Sequence, residues 1–150
     1  MKTGINKNRQ PCEVIETKAI NNHCIITMGK KIFVLEDDEG IRDVIEILLT
    51  EELYEFYGFS TVKDFNKGDD KSADLYLLDI MLPDGNGIEV CNALKKQAST
   101  ANIPVLMMSA NSSKTHVELS CSSDGFIAKP FNISDLLSKV DLTLQGHIKL

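Results

Sequence analysis

Short apolar runs that stop at a charged or polar residue recur along this chain, with amphipathic stretches between them. Ile32, Phe33, Val34 and Leu35 form the first run, continuous rather than alternating, as a strand covered on both faces requires. It ends in Glu36, Asp37 and Asp38. Ile41, Val44, Ile45, Leu48 and Leu49 then recur at helical spacing, and Glu39 and Asp43 suit the positive end of the helix this predicts. Further runs read as strands at 54–59, 75–78, 105–108 and, shorter, 126–128. Ile88, Cys91 and Leu94 mark a helix between the third and fourth strands. Ile133, Leu136, Leu137 and Val140 mark a last one, with Asn132 or Ser134 available as its cap. Two crossovers, 60–74 and 111–124, are poor in periodic apolar residues and predict short or irregular helices. Strands alternating with helices imply an α/β fold, a parallel sheet with helices on both faces.

The first 27 residues show no sustained period and read as a flexible or loosely docked extension, followed by one domain over 28–145 and a tail over 146–150. Met28, in the string MGKK just before the first strand, is a candidate initiator. At 150 residues, 43% of them hydrophobic, the chain suits a single domain with a core of ordinary size. A formal net charge of -6 argues against a surface built for nucleic acid or anionic lipid, and leaves a protein or a small solute as the expected partner. The apolar runs are too short to span a bilayer, and MKTGINKNRQ lacks the hydrophobic block of a secretory signal, so a cytoplasmic location is expected. Cys12, Cys24, Cys91 and Cys121 show no zinc-ligand spacing and read as free thiols. His23 and His116 lie in polar segments and read as exposed. The sequons at Asn111 and Asn132 carry no meaning in a cytosolic chain.

The candidate chemistry lies where the strands stop. Ligands of an open parallel sheet bind beyond the carboxyl ends of its strands. Glu36 and Asp37 end the first strand and Asp79 ends the third; if the two are neighbours, three carboxylates converge. Such a group repels itself unless a cation neutralises it, and all-oxygen ligation suits Mg²⁺. Ser109 closes the fourth strand and Lys129 the fifth. A hydroxyl and an ammonium facing a metal and a carboxylate form a clamp for a phosphoryl group. A carboxylate nucleophile needs no base near neutral pH, and no Ser/His/Asp set is evident. The string PDGNG reads as a turn, with Gly85 and Gly87 permitting positive φ.

The strings VLEDDEGIR, LLDIMLPDGNGIEV, VLMMSA and FIAKPF resemble, in order and spacing, those of the receiver domain of two-component response regulators. The resemblance runs from about residue 30 to about residue 144. It implies a doubly wound, flavodoxin-like sheet of five parallel strands in the order 2-1-3-4-5. It also implies that Asp79 accepts a phosphoryl group from a sensor histidine kinase or a histidine phosphotransfer protein. Asp37 and Asp79 would bind Mg²⁺ directly, Met81 through its backbone carbonyl and Glu36 through water. Lys129 would pair with the acceptor, Ser109 would swing to the phosphoryl group, and Phe126 matches an aromatic switch position, although an aromatic in a short strand reads equally well as core. Met81 and Asn111 match positions that tune hydrolysis, and the bond from Lys129 to Pro130 matches one that is cis. The changed surface, built on the fourth helix, fifth strand and fifth helix, would be read by a downstream protein. With no output domain after Leu150, the chain reads as a stand-alone receiver that catalyses at most its own phosphorylation and dephosphorylation. Two other functions compete: an interaction module independent of phosphorylation, and an aspartyl-phosphate hydrolase, whose second Asp is replaced here by Met81.

Overall fold

The computed structural model describes residues 29–68, 72–111 and 113–146, so what the sequence predicts for residues 1–28, including Cys12, His23, Cys24 and Met28, and for residues 147–150, lies outside the described residues. In chain order the elements are β1 (Lys31–Leu35), α1 (Glu39–Glu51), β2 (Glu55–Phe59), α2 (Val62–Lys67), β3 (Leu75–Asp79), the two-residue strands β4 (Met81–Leu82) and β5 (Gly85–Asn86), α3 (Gly87–Lys96), β6 (Val105–Ser109), α4 (Lys114–Ser120), β7 (Gly125–Ala128) and α5 (Ile133–Gly146). The main sheet has the order β2-β1-β3-β6-β7 with every pairing parallel, which is 2-1-3-4-5 over its five strands. β4 and β5 form a separate antiparallel hairpin. The expected flavodoxin-like fold is therefore present.

Strand pleat divides the core in two. Phe33, Leu35, Tyr76, Leu78 and Met107 face α2, α3 and α4, meeting Phe65, Val90, Cys91, Leu94 and Val117. Ile32, Val34, Leu75, Leu77, Leu106 and Met108 face α1 and α5, meeting Ile45, Leu48, Leu49, Leu136, Val140 and Leu144. This is why the strands read as continuous apolar runs. Burying a side chain such as Leu77 contributes about 2 kcal/mol. The weak crossovers hold helices of six and seven residues. Asn132 is the cap that α5 uses, its Oδ1 accepting from the Asp135 N–H at 2.7 Å.

Two readings need correction. Val44 and Ile133 share the helical period of core residues, yet both are exposed, because no element among the described residues covers that side of either helix. Gly85 and Gly87 do not use positive φ; among the described glycines only Gly29 does. Gly87 is required for space: a Cβ there would lie 2.0 Å from the carbonyl oxygen of Asp79.

Candidate functional site

The parallel order puts the ends of β1 and β3 side by side, with Leu35 level with Leu78, so Glu36 and Asp37 emerge next to Asp79. β6 pairs with β3 on the other side, and β7 follows it, which brings Ser109 and then Lys129 to the same end of the sheet. One carboxylate oxygen from each of Glu36, Asp37 and Asp79 lies within 4.8 Å of the others. Lys129 Nζ stands 2.5 Å from Glu36 Oε2 and 3.2 Å from Asp79 Oδ2. Glu36 is 1% exposed and Asp79 6%, whereas Asp37 is open to solvent.

Local contacts hold this arrangement. The Glu36 carboxylate accepts from the Asp38 N–H at 3.2 Å, and its carbonyl accepts from Arg42 Nη1 at 2.8 Å. Asp38 caps α1, its Oδ1 accepting from the Ile41 N–H at 2.9 Å, so the helix starts immediately behind the acids. Gly87 donates its N–H to the Ile80 carbonyl at 2.9 Å, bringing the start of α3 against the end of β3. The Lys129 N–H donates to the Ser109 carbonyl at 3.0 Å, and the bond from Lys129 to Pro130 is cis.

The electrostatics are those of a crowded acid group. Burial pushes the Glu36 carboxyl above its ordinary pKa and the charge of Asp79 adds to this; hydrogen bonding and attraction from Lys129 act the other way and do not cancel it. Burial by itself would lower the Lys129 ammonium, but its hydrogen bonds and attraction to Glu36 and Asp79 hold it above its ordinary value. One ammonium thus pairs with two of three clustered carboxylates, Glu36 and Asp79. The donors are all hard oxygens in a pit with unbalanced negative charge, which fits Mg²⁺.

The other predicted residues are placed less uniformly. Ser109 is buried, and its Oγ accepts from the Asn111 N–H at 3.1 Å. Asn111 Nδ2 lies 3.7 Å from Met81 Sδ, so the two positions read as flanking the acceptor do touch each other. Phe126 is buried in the apolar cluster with Val117 and Met107. Sequence reasoning missed Asp38, Arg42, Asp84 and Gly87. Asp38 had a signal, an Asp directly before a helical run; the role of Asp84, which binds the N–H groups of Val62 and Lys63 at 2.9 Å each, had none because its partners lie far away in sequence. No helix among the described residues is long and apolar enough to cross a membrane.

Comparison with known proteins agrees with this geometry. The family model for the response regulator receiver domain matches residues 32–141. A probable transcriptional regulatory protein of Picosynechococcus is 37% identical over 120 residues, which is 73% of this chain and 47% of that protein, so the chain spans about half the length of this relative. The receiver domain protein, CheY-like, of Methanospirillum hungatei is 29% identical with a TM-score of 0.72, covering 79% of this chain and 96% of its own. The BeF3-activated receiver domain of DrrB, a Thermotoga maritima response regulator, is 28% identical with a TM-score of 0.70, covering 79% of this chain and 99% of that one.

Proposed function

We propose, from the premise that this chain belongs to the response regulator receiver domain family, that Asp79 accepts a phosphoryl group and switches a partner-binding surface in a two-component or phosphorelay pathway. The observation that carries this reading is the meeting of the Glu36, Asp37 and Asp79 carboxylates at the carboxyl end of the sheet, with the Lys129 ammonium against Glu36 and Asp79. The donor is a phosphohistidine of a sensor histidine kinase or a histidine phosphotransfer protein. An oxygen of Asp79 attacks phosphorus, the P–N bond breaks, and the imidazole leaves with the bonding pair and takes up a proton. The product is an acyl phosphate on Asp79.

Lys129 holds one oxygen of the nucleophile and remains charged at neutral pH, so it can follow the negative charge onto the phosphoryl oxygens. Mg²⁺, held by Asp37, Asp79 and the Met81 carbonyl, with Glu36 acting through water, would neutralise charge on those oxygens when bound. Ser109 turns its hydroxyl towards the new group, giving up its bond to the Asn111 N–H and so loosening the segment that leads into α4. Phe126, packed in one cluster with Val117 of α4, carries the change to the surface made by α4, β7 and α5. Met81 and Asn111, touching beside the acceptor, set how readily water reaches the acyl phosphate.

Incubation with Mg²⁺ and acetyl phosphate or phosphoramidate tests the chemistry by intact mass. Wild type gains one phosphoryl group and Asp79→Asn gains none. A gain that persists in Asp79→Asn, or none in wild type, overturns the assignment.

A further inference from the structure

We propose that Cys91 on α3 and Cys121 at the end of α4 are a modification site: a peroxide converts the two thiols into a disulfide that ties α4 to α3 and holds it there. Formation of the bond does not depend on whether Asp79 takes a phosphoryl group.

Both side chains belong to the core cluster on the side of the sheet that α2, α3 and α4 cover, Cys91 fully buried and Cys121 7% exposed. Neither is in a disulfide, and the two thiols hydrogen-bond each other. The segments that carry them are already joined. Asn92, the residue after Cys91, donates from Nδ2 to the carbonyl of Ser120, the residue before Cys121, at 3.0 Å. A disulfide, with its sulfurs about 2 Å apart, forms only where two such segments hold their thiols face to face.

The shortness of α4 gives an oxidant its access. The helix has seven residues, too few to hold by itself, and Val117 is its one buried side chain. Cys121 caps its end, the N–H donating to the Val117 carbonyl at 3.0 Å and the thiol to the same oxygen at 3.6 Å. Release of that last turn uncovers Cys121 and leaves Cys91 in the core. Burial, reinforced by Cys121, pushes the Cys91 thiol up to about 12, so Cys91 stays protonated and covered, and Cys121 is the sulfur oxidised first.

Hydrogen peroxide supplies the oxidising power. The Cys121 sulfur attacks one peroxide oxygen, the O–O bond breaks, and the leaving hydroxide takes the thiol proton as water, which leaves a sulfenic acid. The Cys91 sulfur then attacks the Cys121 sulfur, the S–O bond breaks, and the departing hydroxide takes the Cys91 proton as a second water. Two electrons pass from the thiols to the peroxide. The bond closes the chain from 91 to 121 into a loop that contains Ser109 and Asn111, and it fixes the end of α4. Oxidant thereby becomes a second input to the surface made by α4, β7 and α5, a consequence that rests on the phosphoryl reading as the bond itself does not.

The test uses the full-length chain with Cys12→Ser and Cys24→Ser, so that one pair of thiols remains. Treated with hydrogen peroxide while folded, at least half of it should lose two hydrogens by intact mass, yield a crosslinked peptide pair carrying positions 91 and 121, and regain both thiols in dithiothreitol. Amide exchange at Val117 and Cys121 should slow at least tenfold on oxidation. Adding Cys91→Ala should abolish the two-hydrogen loss and leave oxygen on Cys121; with Cys121→Ala instead, Cys91 should oxidise at least tenfold more slowly than that Cys121. With Mg²⁺ and acetyl phosphate the oxidised chain should take up the phosphoryl group as the reduced one does, while its Val117 and Leu119 amide signals shift at least twofold less. Absence of the two-hydrogen loss, a loss confined to urea, or a bond between two copies overturns the pairing. Unchanged exchange at Val117 and Cys121 overturns the clamp, and equal signal shifts overturn the second input. Phosphoryl uptake missing from both forms counts against the phosphoryl reading and leaves the bond standing.

Discussion

The two ends of the sheet use the same residue types to opposite effect. At the amino end Asp74 accepts from the Lys31 N–H at 2.8 Å and from Lys30 Nζ at 3.2 Å. Asp124 accepts from the Val105 N–H at 2.8 Å and from Lys95 Nζ at 2.9 Å. Each of these acids has a lysine of its own and the amide of the strand that it pins. At the carboxyl end Glu36, Asp37 and Asp79 cluster together, Lys129 is shared by Glu36 and Asp79, and these two acids are almost wholly buried. Charge balances at one end and not at the other. An acid beside a lysine is therefore no mark of a site, whereas a deficit of positive charge among buried oxygens is, because folding alone gives no reason to keep it.

Removing one lysine from each end sharpens the contrast most. Lys129→Met leaves Glu36 and Asp79 buried without a cation and should cost about 3 kcal/mol in urea unfolding at neutral pH without divalent ions. Lys95→Met strands Asp124 and frees the Ile103 carbonyl, at a site more open to water, and should cost about 2 kcal/mol. Millimolar Mg²⁺ should recover a large part of the first loss and none of the second. Equal recovery in both variants, or in neither, would remove the distinction between the two ends.

The sequence displayed the carboxyl end far better than the amino end. Glu36, Asp79 and Lys129 each follow directly on an apolar run, and period and turn rules locate the ends of such runs well. Asp74 and Asp124 stand before strands, in polar segments where an acid is commonplace, and their partners lie 43 and 19 residues away. The eight apolar positions of β1 and β3 that pack against α1 and α5 or against α2 and α3 could be read as buried, but not which face each takes. For α1 the period marked Val44 as apolar without showing that it stands exposed. Gly87 read as a turn glycine because composition alone does not distinguish a need for positive φ from a need for space.

Two backbone substitutions test the ends next. Gly87→Ala drives a methyl group into the Asp79 carbonyl, a backbone atom that has no rotamer to escape by, and should destabilise by about 2 kcal/mol or more and slow phosphoryl incorporation. At the foot, Leu53 has φ 65, while the N–H groups of Leu53 and Tyr54 return to the Thr50 and Leu49 carbonyls in the pattern that favours glycine after a helix. Leu53→Gly should raise stability by about 1 kcal/mol with incorporation unchanged. Calorimetry and intact mass together separate the two outcomes. A loss of stability in Leu53→Gly would mean that Leu53 makes contacts worth more than its backbone cost.

The smallest effect belongs to Asp84, at the carboxyl end but outside the acid group. Its two oxygens accept from the Val62 and Lys63 N–H groups, so a hairpin residue caps α2 across the site's edge. The backbone N–H groups of Lys63 and Val62 stabilise the carboxylate and hold its pKa below the usual 3.8. A group lowered on folding contributes stability above its unfolded value and loses it as pH falls through the folded one. The difference in melting temperature between wild type and Asp84→Asn should be level from about pH 7 to about pH 5, then shrink below 3.8. Because the carboxylate is fully exposed, solvent screens the contact, and the difference should be smaller than that of any substitution above. A difference that stays constant down to about pH 2 would mean that Asp84 acts through its shape rather than its charge.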